Sequence, residues 1–463
     1  MRNKTFWLLT IVVFIGLLLP ALVQEGMFLD GVSYACIAKN MANGLGSFAL
    51  PHYTATLYPV CYEQPPLALW LQSLFFRAFG DHFLVERFFS FCMAIATAWG
   101  IVLNWRLLAA QMPGSQVTGR NNSWLPVLLW IISPIVFWGY QNNMLECTMS
   151  VFVLGSTYFA AKSEFEKQPG LLVLAAISTA AAVLCKGPVG FSPVAAPLVL
   201  SLAFEPKSVF RGAISSALML VCALAILGIF IFFVPGMPEY LDQYLHTRLL
   251  PTLLGARDTQ VEYPFSFLLD LVSQIALPAI LLLIVFFKQG FREIPMPKSA
   301  LFFFGVGLAG TLPLVFSPKQ SAHYLLPSIP YFALGFAAIF EKAINWSALE
   351  AKIGGLFEKI VWLVLGATLV ISVLSWGKYR RDVRQIKDIK AICIAIGTDR
   401  TIGIPEQYGK DWLLHAYFGR IGNESLDEHK MQEFWLGNKG EHGPAGFLEM
   451  DLGLNNYGLW KSR

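Results

Sequence analysis

Charged residues are scarce in this chain. Asp, Glu, Lys and Arg make up 14% of its 463 residues, against 56% for hydrophobic ones, whereas a soluble globular domain carries about 25% charged residues. The net charge of +4 is spread along the loops, and no basic run is dense enough for nucleic acid. The composition therefore excludes an ordinary soluble fold and predicts an all-α protein that crosses a membrane many times.

The common catalytic signatures are also missing. The sequence has no HExxH, no GxSxG, no P-loop and no GxGxxG in a strand–helix setting, so protease, hydrolase and ATPase functions have no support. No internal repeat or low-complexity segment is visible. None of the seven cysteines forms a CxxC pair. Cys36 and Cys61 share the first long loop, either as a disulfide or as two unpaired thiols.

Long apolar runs are abundant. The N-terminal MRNK precedes an apolar run of about 19 residues without a small-x-small cleavage site, which predicts a retained first helix. Residues 66–79 are apolar but interrupted by Gln72 and Arg77, which predicts a helix lying at the interface. The candidate membrane spans, each about long enough to cross a bilayer, are 5–24, 83–109, 124–140, 144–161, 170–185, 188–204, 212–234, 264–287, 299–316, 323–340 and 359–376.

The stretch 170–204 decides the topology. A single helix at 1.5 Å per residue would be ~52 Å long, too long for one span, and Lys186-Gly187-Pro188 interrupts it. Two helices with a break at the surface place the short basic loops together on the inner side, as the positive-inside trend favours. The N-terminus is then cytoplasmic, and the outer segments are 25–82, 141–143, 186–187, 235–263, 317–322 and 377–463.

The tail is more polar than the rest of the chain. It contains an apolar β-prone run, Ala391 to Ile396, and a turn-rich segment around Gly403 and Pro405. These features predict a small outer α/β domain, with the stretch after Ser425 loosely ordered. We therefore expect a transmembrane domain at 1–376, which includes outer loop 25–82, and a soluble domain at 377–463.

Ionisable residues collect at the outer ends of the spans, where they are costly to place and mark a candidate site. Asp30 follows the first span and is a general base, the N-cap of a helix over Gly31 to Met41, or both. Glu63 precedes two prolines and either favours the positive helix end or lies beside a phosphate or metal. Glu146 opens an apolar span and needs a salt bridge, a metal ion or a wet cavity.

The cations at the same ends suit a phosphate. Lys186 either snorkels to the interface or neutralises a phosphate. Arg248 and Arg257 lie in a loop too long and mixed to be a connector, and the planar guanidinium fork fits phosphate oxygens. A third group at the outer end of a late helix consists of Lys319, His323 and Tyr324. These residues either anchor the helix at the membrane interface or belong to the phosphate site.

In chain order these segments resemble one family. The resemblance covers roughly residues 1–340 and rests on the acid Asp30, on Tyr62-Glu63-Gln64-Pro65-Pro66 with Trp70, on Glu146, on Lys186-Gly187-Pro188, and on Ser317-x-Lys319 followed by Tyr324-Leu-Leu-Pro. This order is similar to that of bacterial membrane glycosyltransferases of the GT-C fold. They are family 39-like enzymes related to protein O-mannosyltransferases and to the lipid A aminoarabinose transferase.

The resemblance implies a GT-C-like fold with about 11 spans and a glycosyltransferase activity. A sugar would pass, with inversion, from a polyprenyl-phosphate donor to an envelope acceptor (lipid A, a glycolipid, a glycan or a protein) at the outer face of a bacterial inner membrane. Asp30 and Glu146 would be catalytic and are the candidate ligands of a divalent metal ion, the one candidate cofactor. Substrate binding is expected of Tyr34, Tyr62 and Glu63, and donor-phosphate binding of Lys186, Arg248, Arg257, Lys319, His323 and Tyr324.

The chain departs from the family pattern at three positions. Many relatives have Glu where this chain has Gly31, and some have Lys where it has Gln64. The second acid, often Asp, is Glu146. Without a cation at position 64, an Arg of the long loop or Lys319 would have to meet the donor phosphate.

Two alternatives belong to other functional classes. A transporter or lipid flippase usually carries polar groups near the bilayer midplane on broken helices, often with an internal repeat. A membrane scaffold with an outer receptor domain would need no catalytic group. The charges of this chain lie at one edge of the spans without a visible repeat, which favours the enzyme.

Overall fold

The predicted apolar runs are helical. The computed structural model of the protein describes residues 3–110, 122–255, 265–289 and 296–463. The helices up to residue 204 are α1 (Lys4–Leu22), α2 (Leu29–Ala42), α3 (Leu67–Phe79), α4 (Val85–Ala109), α5 (Trp124–Ile131), α6 (Pro134–Gln141), α7 (Leu145–Glu166), α8 (Gly170–Lys186), a 3₁₀ helix (Pro188–Ala195) and α9 (Ala196–Phe204).

The later helices continue this pattern. They are α10 (Val209–Phe233), α11 (Met237–Gln243), a π-helical turn (Tyr244–Leu249), α12 (Leu250–Leu253), α13 (Ser266–Gln289), α14 (Lys298–Val315), a 3₁₀ turn (Ala322–Leu325), α15 (Ile329–Ala343), α16 (Trp346–Ser375), α17 (Val383–Ile396) and α18 (Trp412–Gly422). Two short 3₁₀ turns, Pro206–Ser208 and Glu406–Tyr408, complete the set among the described residues.

The polytopic membrane class is confirmed. Of the helices in the described part of the chain, 6 are long and apolar enough to cross a membrane, or up to 7 if α5 and α6 form one span. Helix α3 stands where an interfacial helix was predicted, and helical structure is present at each predicted span. The number of crossings stays a prediction, because several of these helices are shorter than a bilayer requires.

The predicted break after Lys186 is confirmed. Helix α8 ends at Lys186, and Gly187 adopts a φ of 88°, a conformation that residues with a side chain rarely take. Pro188 then opens the 3₁₀ helix, where its missing N–H costs nothing. A Cβ atom at Gly190 would lie 2.4 Å from the backbone nitrogen of Val183, so the returning chain needs glycine there.

A second break divides the span that contains α5 and α6. The two helices meet at 75° across Ser133, and α6 begins with Pro134. Such a break leaves backbone groups without helical partners. The side chain of Gln274, on α13, accepts the Ile135 N–H at 2.7 Å, and the Ser133 hydroxyl lies 3.4 Å from the same oxygen. A polar residue of a mostly apolar helix thus stabilises the bend.

The chain forms two compact units. The first contains Met1–Pro20, Ser90–Gln141 and Leu145–Leu374, and within it α7 packs along α8 and α14 along α15. The second contains Ala21–Phe89, Asn142–Met144 and Ser375–Arg463. The C-terminal residues therefore share a unit with the loop after α1.

The second unit contains the predicted α/β domain, which is confirmed. Its strands are β1 (Thr401–Gly403), β2 (Ser425–Asp427), β3 (Phe434–Asn438), β4 (Phe447–Glu449) and β5 (Tyr457–Ser462). They form one sheet in the order β2-β1-β3-β5-β4. β1 pairs in parallel with β2 and β3, while β5 pairs antiparallel with β3 and β4. Four of the five strands begin at or after Ser425, so the expectation of a loosely ordered end is wrong.

The prediction of a strand at Ala391 to Ile396 is also wrong, because these residues end helix α17. Counted from Val383, the helix buries Ile386, Ile389, Ile392 and Ile396, which recur at helical spacing. This apolar face lies beside α18. The β-branched run alone did not reveal that periodicity.

Candidate active site

Glu146, Lys186 and His323 form a buried charged cluster within the first unit. Glu146 lies in the first turn of α7 and Lys186 is the last residue of α8, so each charge suits the dipole at its helix end. Lys186 Nζ lies 3.1 Å from the Glu146 carboxylate, and His323 Nε2 lies 3.8 Å from it. The side chains are 1% exposed for Glu146 and 9% for Lys186. Glu146 therefore forms a salt bridge, which was one of the expected alternatives. The Lys186 side chain is buried instead of reaching out to the membrane interface.

Aromatic rings border this cluster. Trp138, on α6, stacks on His323 with ring centroids 6.1 Å apart. The Lys186 ammonium lies 5.9 Å from the centroid of the Tyr324 ring, within the range of a cation–π interaction. The Tyr324 ring is also 4.7 Å from that of His323 in a T-shaped arrangement. Aromatic rings therefore lie against both Lys186 and His323.

The loop before His323 is ordered by its own side chains. The Ser317 hydroxyl donates to the Lys319 carbonyl oxygen at 2.9 Å, and the Gln320 amide donates to the Val315 carbonyl at 2.7 Å. Lys319 is half-buried in this loop. Arg248 is half-buried in the π-helical turn, a local irregularity that is frequent at functional sites. Arg257 lies outside the described residues.

Asp30 lies in the second unit, in the first turn of α2. The N-cap prediction is wrong, because the cap residue is Phe28 and no side chain caps the helix. The Phe28 N–H instead donates to the Asn142 side-chain oxygen at 2.9 Å. Asp30 Oδ2 accepts from the Tyr34 hydroxyl at 3.4 Å, one turn along the helix. The half-buried carboxylate therefore does not cap the helix.

The loop residues Asn142 and Asn143 hold the first turn of α2. The Asn143 amide donates to the Gly31 carbonyl at 3.3 Å, and the Gln72 amide donates to the Asn143 side-chain oxygen at 2.8 Å. A Cβ at Gly31 would lie 2.0 Å from the Asn142 carbonyl oxygen. This close approach leaves no room for a side chain at position 31.

Tyr62 and Glu63 occupy the loop that leads into α3, and both are half-buried. Pro66 is the N-cap residue of α3, so the two prolines stand just ahead of the helix, close to their predicted position. The structure thus brings together Glu146, Lys186, His323 and Tyr324 in the first unit, and Asp30 with Tyr34 in the second.

Sequence reasoning missed the roles of Trp138, Asn143 and Gln72. Trp138 belongs to a run of apolar residues and carries no signal of its own. The two asparagines before an apolar span, and a glutamine within an apolar helix, are costly to bury without partners, and that cost is the available signal.

The residues around Glu146 do not fit a divalent metal ion. Within the ranges that the structure describes, no group of three or more His, Cys, Asp or Glu side chains is placed to bind a metal. The ammonium of Lys186 occupies the Glu146 carboxylate and would repel a cation.

Cys36 and Cys61 are buried free thiols rather than a disulfide, and burial raises the pKa of Cys36 to about 12.

Comparison with known proteins supports the predicted resemblance. The family model described as dolichyl-phosphate-mannose-protein mannosyltransferase matches residues 63–233. An uncharacterised protein of Aquifex aeolicus (strain VF5) is 27% identical over 353 residues, which are 73% of this chain and 64% of that protein. The chain therefore spans a little under two thirds of the relative's length.

The fold is shared with solved structures. ArnT from Cupriavidus metallidurans, bound to undecaprenyl phosphate, superposes with a TM-score of 0.66 and 13% identity, covering 99% of this chain and 98% of that one. The oligosaccharyltransferase AglB from Archaeoglobus fulgidus, in complex with an inhibitory peptide and a dolichol-phosphate, gives 0.52 and 14%, covering 92% and 65%. The predicted GT-C fold is confirmed.

Proposed function

We propose that this protein is an integral membrane glycosyltransferase that takes its sugar from a polyprenyl-phosphate donor. The observation that carries the proposal is the buried Glu146–Lys186 pair with its aromatic border. Burying such a pair costs free energy even though the two charges neutralise each other, which favours a use beyond packing. The shared fold supports the donor class, since the ArnT structure holds undecaprenyl phosphate and the AglB structure holds dolichol-phosphate.

Lys186 is proposed as the main ligand of the donor phosphate. Glu146 orients the ammonium, and His323 and Tyr324 lie on its other sides, so Glu146 is a positioning residue in this scheme. Lys319, Arg248 and Arg257 are proposed to add charge as the lipid phosphate leaves. Preorganised cations at a developing negative charge are a major source of rate enhancement.

Asp30 is proposed as the general base. The acceptor hydroxyl oxygen attacks the anomeric carbon while Asp30 takes the hydroxyl proton, and the bond from the anomeric carbon to the phosphate oxygen breaks. Polyprenyl phosphate leaves with the electron pair, and the single displacement inverts the anomeric centre. General-base help of this kind contributes about 10²–10⁴-fold. Tyr34, which donates to Asp30, orients the carboxylate, and Tyr62 and Glu63 are proposed to contact substrate.

The orientation of the protein is proposed from its loop charges, with a cytoplasmic N-terminus and a periplasmic tail in a bacterial inner membrane. A phosphatase reporter that is active only outside the cytoplasm, fused after Arg463, should be active. An inactive reporter on a correctly inserted protein would reverse the proposed orientation.

The transfer proposal is tested with membranes that contain the Asp30→Asn variant. Radiolabelled polyprenyl-phosphate sugars are supplied, and label is measured in lipid A, other glycolipids, glycans and proteins, which also identifies the acceptor. We expect Asp30→Asn to remove transfer while the protein stays folded and inserted. The matched control is Glu433→Gln, which removes an exposed carboxylate paired with Lys461 and should keep full activity.

Two results would count against this scheme. Retained turnover in Asp30→Asn would remove the general-base assignment. Movement of the labelled lipid across proteoliposomes without any sugar transfer would favour the flippase alternative. Lys186→Gln should raise the KM for the donor more than it lowers kcat, because it removes a contact made with the bound phosphate.

A further inference from the structure

The tail of the chain, residues 377–463, contacts the helix that carries Asp30. Asp30 is the second residue of α2, and within the second unit α2 packs along α18 of the tail. The tail lies beyond the stretch that the family model matches, residues 63–233, and the proposed transfer reaction uses none of its residues. Its contacts with α2 indicate a part in that reaction.

The segment that leads into α2 is fixed by the start of the tail. The Glu25 N–H donates to the Lys378 carbonyl at 2.8 Å, and the Arg380 N–H donates to the Glu25 carbonyl at 2.9 Å, so the two segments pair as neighbouring strands do. A Cβ atom at Gly26 would lie 2.7 Å from the Arg381 carbonyl oxygen. The backbone just before α2 is therefore held by backbone groups of the tail.

The middle of α2 lies directly against α18. A Cβ atom at Gly419 would lie 2.5 Å from the Cys36 sulfur, whereas ordinary contact begins at 3.4 Å. Cys36 is fully buried, so its sulfur has no open space to move into. The Ser33 hydroxyl lies 3.2 Å from that of Tyr53, which in turn donates to the Trp412 carbonyl at 2.6 Å. The two helices therefore cannot shift against each other without breaking contacts.

The end of α2 is held by a buried charge. Lys39 is 1% exposed, and its ammonium donates to the Arg420 carbonyl at 2.8 Å and lies 2.7 Å from the Asp81 carboxylate. Carbonyl groups in the last turn of a helix lack helical partners and favour a cation there. The Arg420 side chain is also buried and donates to both Glu86 oxygens, at 3.3 and 2.9 Å. The end of α18 is thus tied both to α2 and to the first turn of α4.

We propose that the tail positions Asp30 for catalysis by holding α2. Lys39 is the positioning residue, together with the contact between Cys36 and Gly419. This inference rests on the proposed role of Asp30 as general base. A general base must lie within hydrogen-bond distance of the proton that it takes. Because Asp30 is part of α2, a tilt or shift of the helix moves its carboxylate, and a misplacement of about 1 Å can lower the rate about 10²-fold.

Two variants loosen this contact without changing any residue assigned to the reaction. Gly419→Ala forces α2 and α18 apart, because the added methyl would overlap the Cys36 sulfur. Lys39→Met removes the buried ammonium at similar chain length. The matched control is Lys461→Met, which removes a tail lysine that is 52% exposed. The rescue variant combines Gly419→Ala with Cys36→Ala, in which the removed sulfur leaves room for the added methyl.

Two measurements are made on the full-length protein in detergent. Hydrogen–deuterium exchange of the α2 amides reports how firmly the helix is held, and it does not depend on transfer activity. Transfer from radiolabelled polyprenyl-phosphate sugars, at varied donor concentration, gives kcat per folded molecule and the KM for the donor.

In Gly419→Ala and Lys39→Met we expect the α2 amides to exchange faster than in the wild type and kcat to fall by up to about 10²-fold. The donor KM should stay unchanged, because Lys186 belongs to the first unit and is not altered. A substitution that only destabilised the protein would leave kcat per folded molecule unchanged. The control should match the wild type, and the rescue variant should recover most of the lost kcat.

Unchanged α2 exchange in both variants would overturn the inference. So would an unchanged kcat per folded molecule, or a rescue variant that stays as slow as Gly419→Ala. A wild-type protein that transfers no sugar would instead remove the proposed function itself, so the two failures are told apart. If Lys39→Met does not fold, Gly419→Ala and its rescue decide.

Discussion

Removing one member of the Glu146–Lys186 pair should destabilise the protein far more than removing both. The carboxylate is 1% exposed, the ammonium 9%, and the two are 3.1 Å apart. Breaking a buried ion pair by removing one partner costs about 3–5 kcal/mol, because the other charge stays buried, whereas an apolar pair of similar volume is often tolerated. We therefore expect Lys186→Met and Glu146→Leu each to cost about 3–5 kcal/mol, and the double variant to cost less than either.

The measurement is the free energy of unfolding in mixed micelles for the wild type, both single variants and the double variant. The matched control is the Lys162–Glu166 pair of the same unit, 3.8 Å apart with side chains 30% and 42% exposed. A helix-surface pair of this spacing is worth only about 0.3–0.5 kcal/mol, so removing either residue should have little effect.

His323 lies 3.8 Å from the same carboxylate, so the stability of all four proteins is compared at one fixed pH. A Lys186→Met variant as stable as the wild type, or single costs that simply add in the double variant, would refute the coupled pair. In the Lys186 and Glu146 variants we also expect the KM for the donor to rise, since the phosphate ligand is gone or misplaced.

Three further outcomes follow from the second unit. Gly31→Ala should lower the free energy of unfolding by about 1–3 kcal/mol and lower kcat with Asp30 intact, because its Cβ would lie 2.0 Å from the Asn142 carbonyl oxygen. The control Gly228→Ala, in open space on α10, should be neutral. Equal effects of the two variants in thermal unfolding would contradict the argument. Asn143→Gly keeps the left-handed backbone (φ 54°) but leaves the buried Gln72 amide without its acceptor, which should lower the free energy of unfolding by about 1–3 kcal/mol. Unchanged stability and kcat would show that Asn143 does not support the first turn of α2. Burial raises the pKa of Glu424 to about 7, so between about pH 4.5 and 7 the folded state holds a proton that the unfolded state has released, and the free energy of unfolding falls as pH rises through this range. Glu424→Gln should flatten this pH dependence. A pH profile identical to that of the wild type would contradict the assignment.

The sequence predicted the span helices, and the positions of Glu146 and Lys186 at helix ends, for a simple physical reason. Apolar run length and the Lys186-Gly187-Pro188 break are local signals. Once α7 and α8 run antiparallel, a charge at the start of one and a charge at the end of the other must come close. The pairing of Glu146 with Lys186 therefore follows from helix parity and needs no knowledge of packing.

The remaining features depend on contacts between distant parts of the chain. From the sequence, Lys39 is expected to be an ordinary surface lysine. In the structure its side chain is 1% exposed and pairs with Asp81. The strand predicted at Ala391 to Ile396 is helical because its apolar face is completed by residues N-terminal to that window. The role of Asn143 requires α2 to lie beside the loop that follows α6, which no local pattern indicates.

The composition of the second unit constrains how the protein is made. Glu86 and its partner Arg420 are separated by 334 residues, and at about 5–20 residues per second a ribosome needs roughly 15–70 s to reach the second from the first. During that interval the helices between them enter the bilayer, although the Arg420 guanidinium that pairs with the Glu86 carboxylate has not yet been synthesised. A nascent chain stalled before residue 420 should therefore be a better substrate for quality-control proteases than the finished protein, and cleavage should begin in the segment around residues 81–86.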